Sequence, residues 1–204
     1  MRRLLFSLIV LGWLSVVSAG TVLVWSYNHR PGQPAAAPEH WPTHSKIERK
    51  HGDTLIIVAH PKCPCTRATL EELAKLLTHT QGRVETFILF ARPKGVPNDW
   101  SETDLWQKAT AMPGVTVLND QDGIEAQRFG AHVSGQALLY DPNGQLVFHG
   151  GLTESRGQIG DNAGRQAIED LINRGSSERS HTDVFGCPLF DANECPMPND
   201  ALNR

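Results

Sequence analysis

The pattern of apolar and polar positions divides the chain into regions of different character. Residues 4–25 (LLFSLIVLGWLSVVSAGTVLVW) carry no charge and form an apolar run of about the twenty residues a helix needs to cross a hydrocarbon core. A stretch with no sustained period and several prolines comes next. From residue 54 apolar runs then alternate between the two periods that mark strands and helices. The β-branched run 54–59 (TLIIVA) reads as a buried strand, and Leu70, Leu73, Ala74 and Leu77 share one face of a helix that ends at Gly82. Thr69 and Glu72 offer a capping-box pattern near its start. Residues 83–90 are a second strand, and 93–99 a loop. Ser101 and Asp104 are expected to cap a helix with Leu105, Ala109 and Met112 on one face, stopped by Pro113-Gly114. Residues 115–118 form a third strand, 120–129 open and complete a short helix, and 136–140 form a fourth strand. The turn 141–144 (DPNG) leads to a fifth strand, 145–148, and a last helix carries Ala167, Ile168, Leu171 and Ile172. The order β-α-β-α-β-α-β-β-α predicts a mixed sheet flanked by helices, with an antiparallel hairpin closing one edge.

The predicted organisation is a signal anchor or transmembrane helix (1–28), a proline-rich linker (29–51), an α/β domain (52–175) and a cysteine-containing tail (176–204). Arg2 and Arg3 precede the apolar run and hold the N-terminus on the cytoplasmic side, so the chain beyond the run is expected outside the cytoplasm. The expected location is the cytoplasmic (inner) membrane, single-pass, with the domain on the periplasmic or extracytoplasmic side. A cleaved signal peptide is the rival reading, since residues 17–19 (VSA) offer small side chains to a peptidase. The linker reads as a semi-rigid tether. Its His29, His40 and His44 are taken as solvated residues.

With 204 residues the chain supports one core of ordinary size, and a net charge of −3 lacks the basic excess that nucleic-acid binding needs. Four cysteines are too few for a disulfide-built miniprotein, which points to site chemistry. Cys63 and Cys65 sit where the first domain strand meets the first domain helix. With Cys63 at the N-cap and Pro64 at the first helical position, unpaired amides and the helix dipole stabilise a thiolate, and Lys62 adds positive charge. Cys63 is therefore the expected nucleophile and Cys65 the first candidate to resolve its mixed disulfides. In an oxidising compartment Cys187 and Cys195 either bridge to each other or reach back to the site. The patch 184–190 (VFGCPLF) is apolar within a polar tail, so it is expected to dock on the domain and bring Cys187 to Cys63 or Cys65.

The element order, the segment 60–66 (HPKCPCT) after the first domain strand, and Gly150-Gly151 before the last helix together resemble the thioredoxin-like superfamily over residues 52–175. Within it the chain is most similar to membrane-anchored extracytoplasmic members related to the cytochrome-maturation thioredoxins, and to the RedB-like branch. The resemblance implies a thioredoxin-like mixed β-sheet and a thiol-disulfide oxidoreductase acting on protein thiols and disulfides outside the cytoplasm, with no cofactor. Two departures matter. One residue, Pro64, separates the cysteines where the superfamily has two, and Gly135 falls where it places a cis-proline that faces the cysteines and pairs with the substrate chain. Gly135 is accordingly a candidate substrate-binding residue, and Arg156, in the glycine-rich loop 150–164, is another that suits an anionic group. The room left by the missing proline admits a second reading, copper(I) carriage on Cys63 and Cys65 with His60 or His149. A redox-inert interaction module is the third.

Overall fold

The computed structural model describes residues 2–33, 36–50 and 52–190. It divides into two units, Met1–Arg30 and Pro31–Arg204. The first is one helix, α1 (Arg2–Asn28), long and apolar enough to cross a membrane. Its apolar side chains are exposed along its whole length, and its end is marked by Trp25 stacked on His29.

The second unit is built on a five-stranded sheet. Its elements in chain order are β1 (Asp53–Ala59), α2 (Pro64–Thr80), β2 (Val84–Arg92), a 3-10 turn (Asn98–Ser101), α3 (Asp104–Thr110), β3 (Val115–Gln121), α4 (Ile124–Arg128), β4 (Gln136–Tyr140), β5 (Leu146–Gly151) and α5 (Ala163–Arg174). The strand order is β3-β2-β1-β4-β5. β1, β2 and β3 run parallel, while β4 is antiparallel to β1 and β5 to β4. Both faces of β1 are buried, which is why it reads as a continuous apolar run. Leu55, Ile57 and Ala59 enter a core with Leu70, Leu73 and Leu76 of α2, Leu105 of α3 and Ile168 of α5. Ile56 and Val58 face the opposite core, with Phe87, Leu89, Phe129 and Tyr140.

The proline-rich stretch, expected as a tether, packs on that opposite core. Trp41 meets Phe129 and Tyr140 edge-on, with ring centroids 4.9 Å and 5.2 Å away. Ile47 is buried. Backbone bonds join Trp41 N–H to the Gly144 carbonyl (2.8 Å) and Leu146 N–H to the Glu39 carbonyl (2.8 Å). A composition poor in period had hidden two apolar anchors.

Two caps also differ from expectation. Thr69 and Glu72 form no capping box, because α2 begins at Pro64 and both residues lie in its interior. Glu72 is instead wholly buried and accepts bonds from Arg165 Nε (2.9 Å), Lys75 Nζ (2.7 Å), Asn162 Nδ2 (3.0 Å) and Gly160 N–H (2.9 Å). Burial raises its pKa, but the bonds from Lys75, Gly160 and Arg165 outweigh it and hold the carboxyl below the usual range. This network pins the glycine-rich loop and α5 to α2. For α3 the cap is Thr103, whose hydroxyl faces Trp106 N–H and also donates to the Pro61 carbonyl at 2.9 Å. Ser101 lies one turn earlier and Asp104 is already helical.

Candidate active site

The β1–α2 junction forms as its residue types dictate. Cys63 is the N-cap with extended backbone (φ −95°, ψ 127°), and Pro64 follows at the start of the helix, where its missing N–H is no loss. The turn before it is closed by Cys63 N–H donating to the His60 carbonyl (3.2 Å), which also accepts from Thr66 Oγ1 (2.9 Å). Thr66 N–H donates to the Cys63 carbonyl (3.1 Å).

Cys63, Cys65 and Cys187 form one buried cluster, with 1%, 4% and 8% of their surface exposed. Cys63 Sγ and Cys187 Sγ are 3.4 Å apart, across 124 residues of chain. Cys195 lies outside the described residues. The environment separates the first two thiols. Cys63 is held well below the usual thiol range by the hydrogen bond from Cys187 first and that from Cys65 second; burial opposes this, and the N–H groups of Thr66 and Cys65 add to it. For Cys65 a hydrogen bond with Cys187 pulls down, but its bond to Cys63 and its burial win, and the thiol is pushed up. Hydrogen bonding and burial thus favour the thiolate at Cys63 and the protonated thiol at Cys65.

The tail reaches the cysteines by backbone pairing. Residues 180–182 run beside β5, with His149 N–H donating to the Ser180 carbonyl (3.0 Å) and Thr182 N–H to the His149 carbonyl (3.2 Å). The chain then crosses to residues 132–134. Ser134 N–H donates to the Cys187 carbonyl (2.8 Å), Leu189 N–H donates to the His132 carbonyl (2.9 Å), and Val133 and Pro188 form an antiparallel bridge. Val184 is buried and its carbonyl accepts from Gly32 N–H (2.8 Å).

The remaining predicted residues fall in different places. Arg156 is at the site, and its Nη1 donates to the Gly186 carbonyl at 2.7 Å, while its charge lowers the Cys65 pKa as a minor contribution. The anion-binding role expected of its loop is filled internally: Asn162 caps α5, and Glu154 accepts from Ala163 N–H (2.7 Å). Gly135 has φ +89°, which a residue with a side chain rarely adopts, but its N–H goes to the Val58 carbonyl (2.7 Å). The backbone donor that faces the tail belongs to Ser134, one residue earlier. Ser134 also links the two sides of the site, its hydroxyl bonding Thr66 Oγ1 (2.8 Å) and accepting from His60 N–H (3.0 Å). Nothing local in the sequence separates Ser134 from its neighbour; the register of β4 decides it.

His60 is buried beside the junction, its Nδ1 accepting from Lys62 N–H (3.2 Å) and its ring edge-on to Trp100. Burial is the main cause that lowers its pKa and keeps it neutral; the Cys63 charge raises it and Lys62 lowers it further. Lys62, expected to support the Cys63 thiolate, extends over the Trp100 ring at 5.1 Å. His149 does not join the cysteines. It pairs through Leu138 with Ile56, four residues before His60 and so roughly 13 Å down the strands, and its ring stacks on His181. Of the two histidines offered for copper(I), His149 therefore lies too far along the strands to share a metal with the thiols, while His60 stays beside the junction. Among the described residues no group of three or more His, Cys, Asp or Glu side chains is arranged to hold a metal ion.

No protein-family model matches the chain, and no curated protein matches its sequence. Among solved structures it is similar to a hypothetical protein from Sinorhizobium meliloti 1021, at 19% identity and TM-score 0.57, over 79% of this chain and 94% of that one. It is equally similar to an uncharacterized conserved protein from Geobacillus kaustophilus, at 18% identity and TM-score 0.57, over 82% and 95%. A putative thioredoxin from Neisseria meningitidis aligns at 19% identity and TM-score 0.46, over 72% and 92%. With three parallel strands, an antiparallel hairpin on one edge, helices on the faces and paired cysteines where the central strand enters its helix, the chain has the thioredoxin-like fold.

Proposed function

We propose that the protein is a membrane-tethered thiol-disulfide oxidoreductase whose attacking sulfur is Cys63. The observation that carries this reading is the cluster of three thiols at a helix start, in which the N-cap sulfur is stabilised as thiolate and Cys65 is not. The Cys63 thiolate attacks a disulfide of a partner protein, forming a Cys63-to-partner disulfide and expelling the partner's other sulfur as thiolate. A second cysteine of the cluster, deprotonated as it approaches, then attacks Cys63 and releases the partner's remaining thiolate. The partner gains two electrons and the protein is left with an internal disulfide. The same steps in reverse oxidise a partner dithiol. Cys187, whose sulfur is 3.4 Å from Cys63, suits the resolving role, while Cys65 is held across a single residue, where a disulfide closes a tight ring. In this reading α1, long and apolar enough to cross a membrane, is the tether, and Arg2 and Arg3 before it favour a domain outside the cytoplasm, where disulfides persist.

The test is trapping. A Cys65→Ala, Cys187→Ala variant that retains Cys63 is expected to accumulate mixed disulfides with partner proteins through Cys63, identified by mass spectrometry. Absence of any such adduct, together with no dithiol-dependent reductase activity in the wild type, would falsify the assignment. Stoichiometric copper(I) on the reduced protein, lost in Cys63→Ser and Cys65→Ser, with no turnover, would replace it with metal carriage.

A further inference from the structure

In the structure the three sulfurs are almost closed to solvent, yet disulfide exchange requires a sulfur of a second molecule to meet Cys63 in line. What closes them is the chain's own tail. Residues 184–190 lie across the cysteines, and the features that hold them include those by which a protein binds a foreign peptide: backbone hydrogen bonds to residues 132–134, one carbonyl clamped by Arg156, and two apolar side chains, Val184 buried and Leu189 packed on the core. The segment brings its own cysteine into sulfur contact with Cys63. At Gly186 the approach is so close that a Cβ there would lie 1.8 Å from the Ser134 carbonyl oxygen, so a side chain at this position is incompatible with the docked tail. Leu189 packs against the core that holds Phe129 and Tyr140, and the Phe190 ring, though exposed, meets His132 edge-on at 5.3 Å, while Phe185 is only half-buried.

We infer that residues 184–190 are an internal ligand that occludes the active site, and that they leave it when an extended polypeptide carrying a cysteine takes over the same backbone donors and acceptors. The inference rests on the proposed oxidoreductase activity for its meaning, because only exchange with another protein requires the tail to leave. The two docked states differ in chemistry. With all three thiols reduced, the tail is held by hydrogen bonds and opens by local unfolding. Once Cys63 and Cys187 are joined, a covalent bond holds it down, the two electrons having passed to the partner disulfide, and a dithiol reductant must return them before the tail opens again. Exchange thus leaves the tail latched over the site until the protein is reduced.

The direct test uses the full chain with Gly186→Ala, which blocks docking without removing any group of the cysteine cluster. In the reduced protein at about pH 9.5, where Cys63 is thiolate whether or not Cys187 lies beside it, the rate at which a small alkylating reagent modifies Cys63 is expected to rise at least about tenfold over wild type, the effect of losing one or two backbone hydrogen bonds. A synthetic peptide spanning residues 182–190, with serine in place of Cys187, is expected to slow that alkylation saturably in the variant and to have little effect on wild type. Arg156→Ala serves as a second variant should Gly186→Ala fold poorly, with a smaller increase in the same direction. Unchanged alkylation in both variants, or no protection by the peptide, would overturn the latch. Because the readout needs no turnover, protection by the peptide in a protein without exchange activity would sink the oxidoreductase reading alone. Exchange activity with Cys63 equally reactive in wild type and variants would sink the latch alone.

Discussion

Two segments at the margins of the sheet, the proline-rich stretch at residues 36–50 and the tail at 180–190, both cover it and are held by side-chain burial and backbone pairing in different proportions. The first closes the core over β1 and β4 with large side chains: Trp41 between Phe129 and Tyr140, Ile47 buried, and Arg49 lying over the Trp41 ring. The second is held mainly by backbone hydrogen bonds, one arginine and the sulfur cluster, with Val184 buried, Leu189 half-buried against the core and Phe190 edge-on to His132. Hydrophobic burial makes a segment part of the fold, since its loss exposes a core on both partners. Backbone pairing is readily exchanged for another chain or for water, and so suits a segment that opens. The first segment is therefore structural and the second is a cover on the chemistry.

Substitutions that act on one side of this contrast sharpen it. The largest expected effect is at the sulfur both readings share: Cys63→Ser abolishes exchange with a partner disulfide, and residual turnover through Cys65 alone would break the assignment. Trp41→Ala is expected to cost about 2–4 kcal/mol, below a fully buried tryptophan because Trp41 is half-buried, and to lower Tm by roughly 2–4 °C per kcal/mol. An unchanged melting curve would show the stretch to be a tether after all. Cys187→Ala removes the principal hydrogen bond to the Cys63 thiolate, so the Cys63 pKa moves up toward the ordinary thiol value of about 8.5, measured by thiolate absorbance against pH in reduced protein. The sign for stability comes from the same shift. A pKa lower in the folded than in the unfolded chain gives stabilisation that is full above about pH 8.5 and declines as pH falls toward the folded value, so reduced wild type gains on Cys63→Ser as pH rises to that point. The smallest effect belongs to Arg156→Ala. Tail docking weakens by about 1.5 kcal/mol, at the low end for a bond to a charged group, and the Cys65 pKa rises because a positive charge that lowers it is gone, with little change in Tm.

What was legible in the sequence was whatever local rules decide. Alternating periods gave the elements and their order, Cys63 and Pro64 announced a helix start, and the VFGCPLF patch announced a docked tail. What was not legible depends on groups far apart in the chain. The apparent capping box at Thr69 and Glu72 is a sequence coincidence, because the carboxylate is consumed by Arg165, 93 residues later. Trp41 and Ile47 were hidden by the prolines around them, although two large apolar residues in a polar stretch were the available signal. That the backbone donor meeting the tail is Ser134 and not Gly135 is set by the register of β4 on β1, which puts Gly135 N–H on Val58 and Ser134 N–H on the Cys187 carbonyl. His149 looked available beside the glycines, and only the pairing of β5 shows it four residues down the strands from His60.

The measurement that bears most directly on the cover over the chemistry is a peptide map of the disulfide left in the full-length protein after one round of reaction with a partner disulfide. The account predicts a Cys63–Cys187 bond, joining the helix start to the tail. A Cys63–Cys65 bond, with Cys187 linked instead to Cys195, would contradict it and leave the tail no part in the exchange.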